Sequence, residues 1–343
     1  MLTRNARKIF NPAHYIRNFS ASSTLTQNIA CEEIRIPSPW GGEVAGKWWG
    51  PRNKRPILGL HGWQDNCGTF DRLVPFLPSN TAFLGVDMPG HGLSSQLPPG
   101  MFYHGIDIPI FIRKIVEHFN WSKVSLLAHS LGAMNSFVYT MLFPETVDFL
   151  ICLDGFPFRN DRTAHPSALA KTINSFLKYD ALNASTTEPP SYTFSELEEL
   201  WHRGSRKSVA KESARYILQR NVTPAKNKPG EFYMTRDLRL KVGALLHWTQ
   251  EDIFDGCKRI TCPFFLSLGK QSQFIQLEDL AFEMLNIIRK NNPNVEYHQV
   301  EGTHHLHLNT PENVGDLVRT FIEKYDVVDR SDFDIENKMR IVL

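Results

Sequence analysis

Ser130 lies in a stretch whose residue types and spacing could support nucleophilic catalysis. Residues 124–129 form a short apolar run that predicts a strand, and a helical pattern begins at Gly132. A serine between strand and helix fits a nucleophile elbow, a turn so sharp that the positions two before and two after it must be nearly free of side chain. Here they are Ala128 and Gly132, with alanine in place of the more usual first glycine. The five residues alone fit an ordinary loop equally well, so the rest of the chain must decide.

A serine needs a base within hydrogen-bond reach, and the candidates lie in residues 301–312. This segment follows the last predicted strand and precedes the last predicted helix, where the chain order serine, acid, histidine would place the base. The spacing to Pro311 favours His304; His305 is the runner-up and His307 would support the loop. Three histidines could also bind a metal, but no HExxH arrangement accompanies them, so we expect no metal site.

The acid that would orient the histidine is harder to place. Its common position follows the strand predicted over 264–268, and there the chain has Ser272 where an aspartate would be expected. Asp154, at the end of the preceding strand, is the alternative acid, although an aspartate there could equally form a turn or cap a helix. Asp87 also ends a predicted strand, and its tight glycine-containing loop favours a structural role.

Two backbone amides would have to bind the oxyanion of the reaction. Gly62 would let its loop pass close to the serine, so that the N–H of Trp63 could face inward. The residue after the nucleophile, Leu131, would supply the second N–H. These are the predicted oxyanion-hole residues.

Strands alternate with helices along most of the chain, which predicts a mostly parallel sheet of eight strands covered by helices on both faces. In such sheets the chemistry lies at the carboxyl ends of the strands, where every motif above falls. The predicted strands cover 33–36, 43–49, 56–60, 81–87, 124–128, 149–153, 263–268 and 295–300, and the predicted helices 70–77, 108–119, 133–143, 277–290 and 311–324.

Residues 158–258 break this alternation. Strand-like runs disappear, prolines recur, and short helices are predicted over 168–179, 194–201 and 207–220. We therefore expect a helical cap at 158–258, inserted into a core made of 31–157 and 259–325, with a C-terminal tail at 326–343.

Residues 1–30 differ from the rest in composition. They contain four basic residues and no acidic one, together with a stretch rich in serine and threonine. This composition is typical of a mitochondrial transit peptide and predicts a mitochondrial matrix protein. A basic tail on a cytoplasmic or peroxisomal protein is the alternative, although the C-terminus is not a Ser-Lys-Leu type peroxisomal address.

Overall composition narrows the class of protein. Of the 343 residues 42% are hydrophobic and 22% charged, with a net charge of +2, so nothing indicates a nucleic-acid partner. No apolar run approaches the length needed for membrane insertion. The five cysteines are scattered without CxxC spacing, which favours a reducing compartment. We expect a small-molecule acyl substrate and no cofactor, while the oligomeric state is not predicted.

Taken together, the motifs over residues 33–325 resemble those of the α/β-hydrolase superfamily. They are His61-Gly62-Trp63, Asp87-Met88-Pro89-Gly90-His91-Gly92-Leu93-Ser94, Ala128-His129-Ser130-Leu131-Gly132 and His304-x-x-His307-x-x-x-Pro311-Glu312. Finer features resemble the serine hydrolase-like group that includes the insect kraken proteins, namely Gln64-Asp65-Asn66, Leu153-Asp154-Gly155-Phe156-Pro157, Glu212-Ser213-Ala214-Arg215 and Thr235-Arg236-Asp237-Leu238-Arg239-Leu240-Lys241. The resemblance implies the α/β-hydrolase fold and a hydrolase as the class of enzyme.

The sequence thus predicts a serine hydrolase that cleaves an ester or thioester of a small-to-medium hydrophobic acyl group. Ser130 would attack, His304 would transfer the proton, Asp154 would orient the histidine, and the amides of Trp63 and Leu131 would bind the oxyanion. Two alternatives remain: a catalytically inactive descendant that binds a small hydrophobic ligand, and a carbon–carbon bond hydrolase with the same triad.

Overall fold

A single mixed sheet forms the centre of the molecule. The computed structural model describes residues 30–158, 166–185, 187–243, 248–326 and 339–342. Within these residues, the sheet has nine strands: β1 (Cys31–Pro37), β2 (Glu43–Trp49), β3 (Ile57–Leu60), β4 (Phe83–Val86), β5 (Val124–His129), β6 (Val147–Leu153), β10 (Phe264–Gly269), β11 (Val295–Val300) and β12 (Arg340–Val342). Their order across the sheet is β11-β10-β6-β5-β3-β4-β2-β1-β12.

The parallel part of the sheet, from β4 to β11, carries the strand ends at which the sequence motifs lie. All eight predicted strands are present. The predicted count of eight was nevertheless wrong, because β12 adds a ninth strand antiparallel to β1, within the segment expected to be a tail. A short strand here satisfies backbone groups of β1 that would otherwise lie unpaired at the edge of the sheet.

Helices cover both faces of the sheet. They are α1 (Asp107–His118), α2 (Leu131–Leu142), α6 (Gln250–Cys257), α7 (Glu278–Arg289), α8 (Leu306–Asn309) and α9 (Glu312–Tyr325). The helix predicted over 70–77 was wrong: the chain there forms two short 3-10 turns, Cys67–Phe70 and Val74–Phe76. Pro75 explains the difference, because proline within a helix removes a backbone donor and clashes with the preceding turn.

Side chains of β5 alternate between two buried cores. Leu126 and Ala128 pack into the core beneath α1 and α2, whereas Leu127 packs into the opposite core beneath α9. Burying a large apolar side chain contributes about 1.5–3 kcal/mol. The strand that ends at Ser130 is therefore held firmly from both faces.

Between β6 and α6 the chain forms a separate lobe, which we call the cap and which comprises the described residues from 166 to 243. It contains α3 (Pro166–Asn183), α4 (Phe194–Gly204), α5 (Ala214–Asn221) and a three-stranded antiparallel sheet of β7 (Tyr192–Thr193), β8 (Val222–Pro224) and β9 (Glu231–Met234). That sheet contradicts the expectation of a purely helical insertion. The third predicted helix is also shorter than expected, because Arg206 and Lys207 adopt positive φ and the helix α5 begins only at Ala214.

The predicted cap boundary at 258 can be compared with the packing of α6. Ile253 and Cys257 of this helix belong to the main core, and the Cβ position of Gly256 lies against Met141. The helix therefore belongs with the core, and the inserted lobe ends before it.

A buried ion pair joins the cap to the core. Arg220 on α5 places Nη2 2.9 Å from Oδ2 of Asp87, at the end of β4, and also contacts Glu33 on β1. Burial alone would raise the pKa of Asp87, but the guanidinium of Arg220 outweighs it and holds that pKa well below its ordinary value. Asp87 therefore has the structural role expected for it and also anchors the cap.

Two of the predictions from sequence concern a transit peptide and membrane-spanning segments. Residues 1–29, which contain nearly all of the predicted transit peptide, lie outside the described residues. In the part of the chain that the structure describes, no helix combines the length and the apolar character needed to cross a membrane.

Candidate active site

Ser130 occupies a strained turn between β5 and α2. Its backbone has φ 51° and ψ −118°, a conformation that side-chain-bearing residues rarely adopt and that costs on the order of 1–3 kcal/mol. A Cβ on Gly132 would lie 2.3 Å from the carbonyl oxygen of Leu60, so only glycine fits there. The N–H of Ser130 donates to Leu153 O at 3.1 Å, which ties the turn to the end of β6.

Ser130, His304 and Asp154 form a hydrogen-bonded chain. His304 Nε2 lies 2.8 Å from Ser130 Oγ, and His304 Nδ1 lies 2.5 Å from Asp154 Oδ2. A carboxylate can only accept, so Nδ1 carries the proton and Nε2 presents a lone pair to the serine hydroxyl. Ser130 can thus donate its proton to His304, as a general-base mechanism requires.

Asp154 is held from two directions besides the histidine. The N–H of Gly269 donates to its Oδ1 at 2.6 Å, and the hydroxyl of Ser272 donates to its Oδ2. Its side chain is fully buried, and hydrogen bonds of this kind stabilise a buried carboxylate. The residue at the usual acid position, Ser272, therefore supports a carboxylate that comes from the neighbouring strand.

The loop after β3 places Trp63 beside the nucleophile. A Cβ on Gly62 would lie 3.2 Å from Ser130 Cβ, which shows how closely this loop passes. Trp63 and Leu131 both line the cavity that Ser130 borders. Within the described residues, the backbone N–H groups of Trp63 and Leu131 donate to no protein acceptor. Both residues thus border the space beside Ser130 in which the predicted oxyanion hole would lie.

A second group of buried polar residues lies behind the base. His129 Nε2 lies 2.9 Å from the carbonyl oxygen of His304, to which it must donate, so it fixes the main chain of the base. His305 is turned away from Ser130: its Nδ1 contacts Ser208 Oγ at 3.0 Å and its Nε2 lies 3.7 Å from Asp65 Oδ2. The runner-up for the base is therefore not brought to the nucleophile.

His129, His305 and Asp65 also place potential ligand atoms within 4.8 Å of one another. A divalent cation could bridge such atoms, but the chemistry of the serine requires none. The third histidine of the loop, His307, contacts Thr69 Oγ1 at 2.9 Å and so supports the loop as predicted. Sequence reasoning missed the positioning contact of His129; its place directly before the nucleophile was the available signal.

Two cavities meet at the catalytic groups. One of about 380 Å³ is bordered by Ser130 and Leu131 and is mostly apolar; its other lining residues include Trp40, Met88, Leu97, Ile108, Met134, Phe158, Leu240 and Phe274. The other, of about 910 Å³, lies on the His304 side beneath the cap. Trp63 and Gln273 border both. A substrate could therefore extend from Ser130 in two directions.

Comparison with known proteins identifies the family. A model of the alpha/beta hydrolase fold matches residues 55–308, so the chain belongs to the α/β-hydrolase family, as its motifs and fold predicted. A Drosophila melanogaster protein named "Probable serine hydrolase" is 37% identical over 298 residues, covering 85% of this chain and 88% of its own. A Danio rerio "Serine hydrolase-like protein" is 32% identical over 311 residues, covering 90% and 92%. These relatives place the chain in the serine hydrolase-like group.

Solved structures agree on the fold. A hypothetical protein from Pseudomonas aeruginosa superposes with a TM-score of 0.72 at 27% sequence identity, covering 87% of this chain and 100% of that one. The predicted α/β-hydrolase fold is thereby confirmed.

Proposed function

We propose that this hydrolase cleaves carboxylic esters or thioesters through an acyl-enzyme on Ser130. The observation that carries the proposal is the continuous chain Asp154–His304–Ser130, with both contacts at hydrogen-bond distance. His304 removes the serine proton as Oγ attacks the carbonyl carbon, and later returns it to the leaving alcohol or thiol. A water molecule activated by the same imidazole then releases the acid.

The acyl group is expected to be small to medium in size and hydrophobic. The cavity of about 380 Å³ beside Ser130 is lined mainly by aliphatic and aromatic side chains, which suit an apolar chain. The amides of Trp63 and Leu131 would bind the oxyanion as the carbonyl becomes tetrahedral.

The binding-only alternative loses its main argument. The serine at position 272, in place of the usual aspartate, is the feature that favours a protein without catalytic activity, yet Asp154 reaches His304 from the adjacent strand. A carbon–carbon bond hydrolase would use the same three residues. Neither alternative has an observation of its own in its favour.

Hydrolysis of p-nitrophenyl esters with acyl chains from two to twelve carbons tests the proposal. We expect a maximum at short-to-medium chain length, and no turnover above background in Ser130→Ala. Ser175→Ala, which changes a partly exposed serine on the cap outside both cavities, is the matched control. Absence of hydrolysis at every length, with cleavage of a diketone instead, would favour the carbon–carbon bond alternative.

We also propose import into the mitochondrial matrix, on the composition of residues 1–30. Fusion of these residues to a fluorescent protein should send it to mitochondria. A diffuse or peroxisomal distribution would contradict the proposal.

A further inference from the structure

The large cavity on the His304 side carries an excess of positive charge. Three cationic residues line it, Arg206, Lys207 and Arg236, against a single carboxylate, Asp65. That carboxylate already lies beside His305. The cavity wall is therefore suited to an anion and poorly suited to a purely apolar group.

Arg236 is the residue that stands out among these three. Its Nε is shielded from solvent and has no hydrogen-bond partner, and no carboxylate within the described residues pairs with its guanidinium. The group lies over the ring of Trp201, with Cζ 5.5 Å from the ring centroid. Burial without a counter-ion lowers the pKa of Arg236. Charged groups are seldom buried unpaired, because the lost hydration is not compensated.

Arg239, in the same segment, is an arginine whose buried charge is compensated by hydrogen bonds and ion pairs. Arg239 donates to both oxygens of Asp237, to Asp180, and to three backbone carbonyls. Tyr103 also donates to Asp237, so that carboxylate is fully engaged and not available to Arg236. The segment thus pairs one arginine completely and leaves the other facing a cavity without a partner.

The cavity's position indicates which part of a substrate would enter it. The cavity beside Ser130 suits the acyl chain, while the larger one is bordered by His304, the residue that returns a proton to the leaving group. A departing alcohol or thiol would therefore extend toward Arg236.

We propose that Arg236, with Arg206 and Lys207 at the rim, forms an anion-binding subsite, separate from the oxyanion hole, that selects substrates whose leaving group carries a carboxylate or a phosphate. The guanidinium presents several donors in a planar fork that suits either anion. This inference rests on the proposed function, since it assigns a leaving group to the reaction of Ser130. It explains why an unpaired charge is retained in a partly buried position.

The kinetic test uses three butyrate esters that differ only in the group on the leaving phenol: 4-carboxyphenyl, 4-phosphonooxyphenyl and 4-(methoxycarbonyl)phenyl butyrate. We expect kcat/KM to be at least tenfold higher for one or both anionic esters than for the neutral methyl ester, in keeping with a hydrogen bond between charged groups. The carboxylate and phosphate esters distinguish the two possible sources of the anion.

Arg236→Met removes the charge and keeps an unbranched apolar stem against Trp201. It should abolish the preference, so that the anionic and neutral esters are hydrolysed by the variant with similar kcat/KM. Arg236→Lys should retain part of the preference. Lys226→Met, which removes an exposed cap charge outside both cavities, is the matched control and should change nothing. A preference that survives Arg236→Met, or is absent from the wild type, would overturn the proposal.

Stability gives a second readout that a merely structural arginine would not produce. Without added anion, Arg236→Met should melt at a higher temperature than the wild type, because it removes an uncompensated charge. Inorganic pyrophosphate or glutarate should raise the melting temperature of the wild type and not of the variant. A variant that is less stable than the wild type and equally stabilised by these anions would contradict the subsite.

Failure of this inference is distinguishable from failure of the proposed function. Calorimetry with pyrophosphate and glutarate measures the subsite in the full chain whether or not any ester is hydrolysed. Anion binding that is lost in Arg236→Met supports the subsite, and its absence from the wild type overturns it. Loss of ester hydrolysis with anion binding intact would instead refute the acyl-enzyme chemistry at Ser130.

Discussion

The hydroxyl of Ser272 donates to Asp154 Oδ2, the same carboxylate oxygen that accepts the proton of His304 Nδ1. Ser272 follows β10, where the acid of such a triad commonly lies, and Asp154 follows β6. The two positions therefore converge on one point beside the base. The carboxylate can come from either strand as long as it reaches that nitrogen, and here the second position stabilises it.

Because positions 154 and 272 converge, we expect that the carboxylate of the triad can be supplied from position 272 instead of position 154. Asp154→Asn should lower kcat about a thousandfold or more, since an amide cannot hold the imidazole in the required tautomer. Adding Ser272→Asp should restore at least tenfold of that loss, because the new carboxylate starts from a position already in contact with Asp154. The measurement is kcat on a short-chain p-nitrophenyl ester.

Ser272→Ala is the control for that experiment. Removing one hydrogen bond to a buried carboxylate should reduce kcat by roughly ten- to a hundredfold, in keeping with the about 1.5–3 kcal/mol that such a bond contributes. A double variant no more active than Asp154→Asn alone would show that position 272 cannot deliver a carboxylate to His304.

The sharp turn at Ser130 predicts that alanine substitutions at two glycines differ greatly in their effects on stability and activity. Gly132→Ala would bring a methyl group within 2.3 Å of Leu60 O, so the turn must deform and both stability and activity should be lost. Gly204→Ala, at the end of α4, meets nothing within 4 Å and should be close to neutral. Urea denaturation and ester hydrolysis check both variants; equal tolerance of the two would argue against the sharp turn at Ser130.

The ion pair between Arg220 and Asp87 predicts strong coupling between cap and core. Arg220→Met leaves a fully buried carboxylate without its partner and should reduce the free energy of unfolding by about 3–5 kcal/mol. Adding Asp87→Asn to this variant should cost much less than the same substitution in the wild type. Urea denaturation of the four proteins gives the coupling energy, and additive losses would contradict the pairing.

Buried histidines predict a loss of stability in acid. Burial lowers the pKa of five of them below the ordinary value near 6.5, and that of His91 to about 3: His61, His91, His129, His305 and His307. Below pH 6.5 the unfolded chain therefore binds more protons than the folded chain. The contribution of these histidines to the free energy of unfolding is fully present above pH 6.5 and is lost as the pH decreases toward 3. Each histidine contributes up to about 1.4 kcal/mol per pH unit.

The measurement is the free energy of unfolding at pH 7, 6 and 5. His91→Gln should reduce the dependence on pH over this range, whatever its effect on stability at pH 7. An unchanged slope would mean that His91 has the same pKa in the folded protein as in the unfolded chain.

Much of the fold could be predicted because hydrophobic periodicity records burial. Most of the six parallel strands are largely apolar runs, and all eight predicted strands were found within a few residues of their predicted bounds. The ninth strand and the cap sheet were missed, because strands as short as Tyr192–Thr193 and Arg340–Val342 leave no readable pattern. The helix predicted at 70–77 followed apolar spacing while giving Pro75 too little weight.

For the site, local sequence predicted residue types and chain order, and the structure brings Ser130, His304 and Asp154 together. What the sequence could not supply were contacts between distant segments. The support of Asp154 by Ser272 spans 118 positions, and the isolation of Arg236 depends on where every other carboxylate lies. Such relationships arise only from the folded chain.

The most direct test of the central claim is labelling of the full-length protein with a fluorophosphonate, followed by peptide mass spectrometry. An activated serine should yield a single adduct on Ser130, absent in Ser130→Ala, strongly reduced in His304→Ala, and unchanged in the cap control Ser175→Ala. A folded wild-type protein that remains unlabelled, or is labelled elsewhere, would contradict catalysis by Ser130.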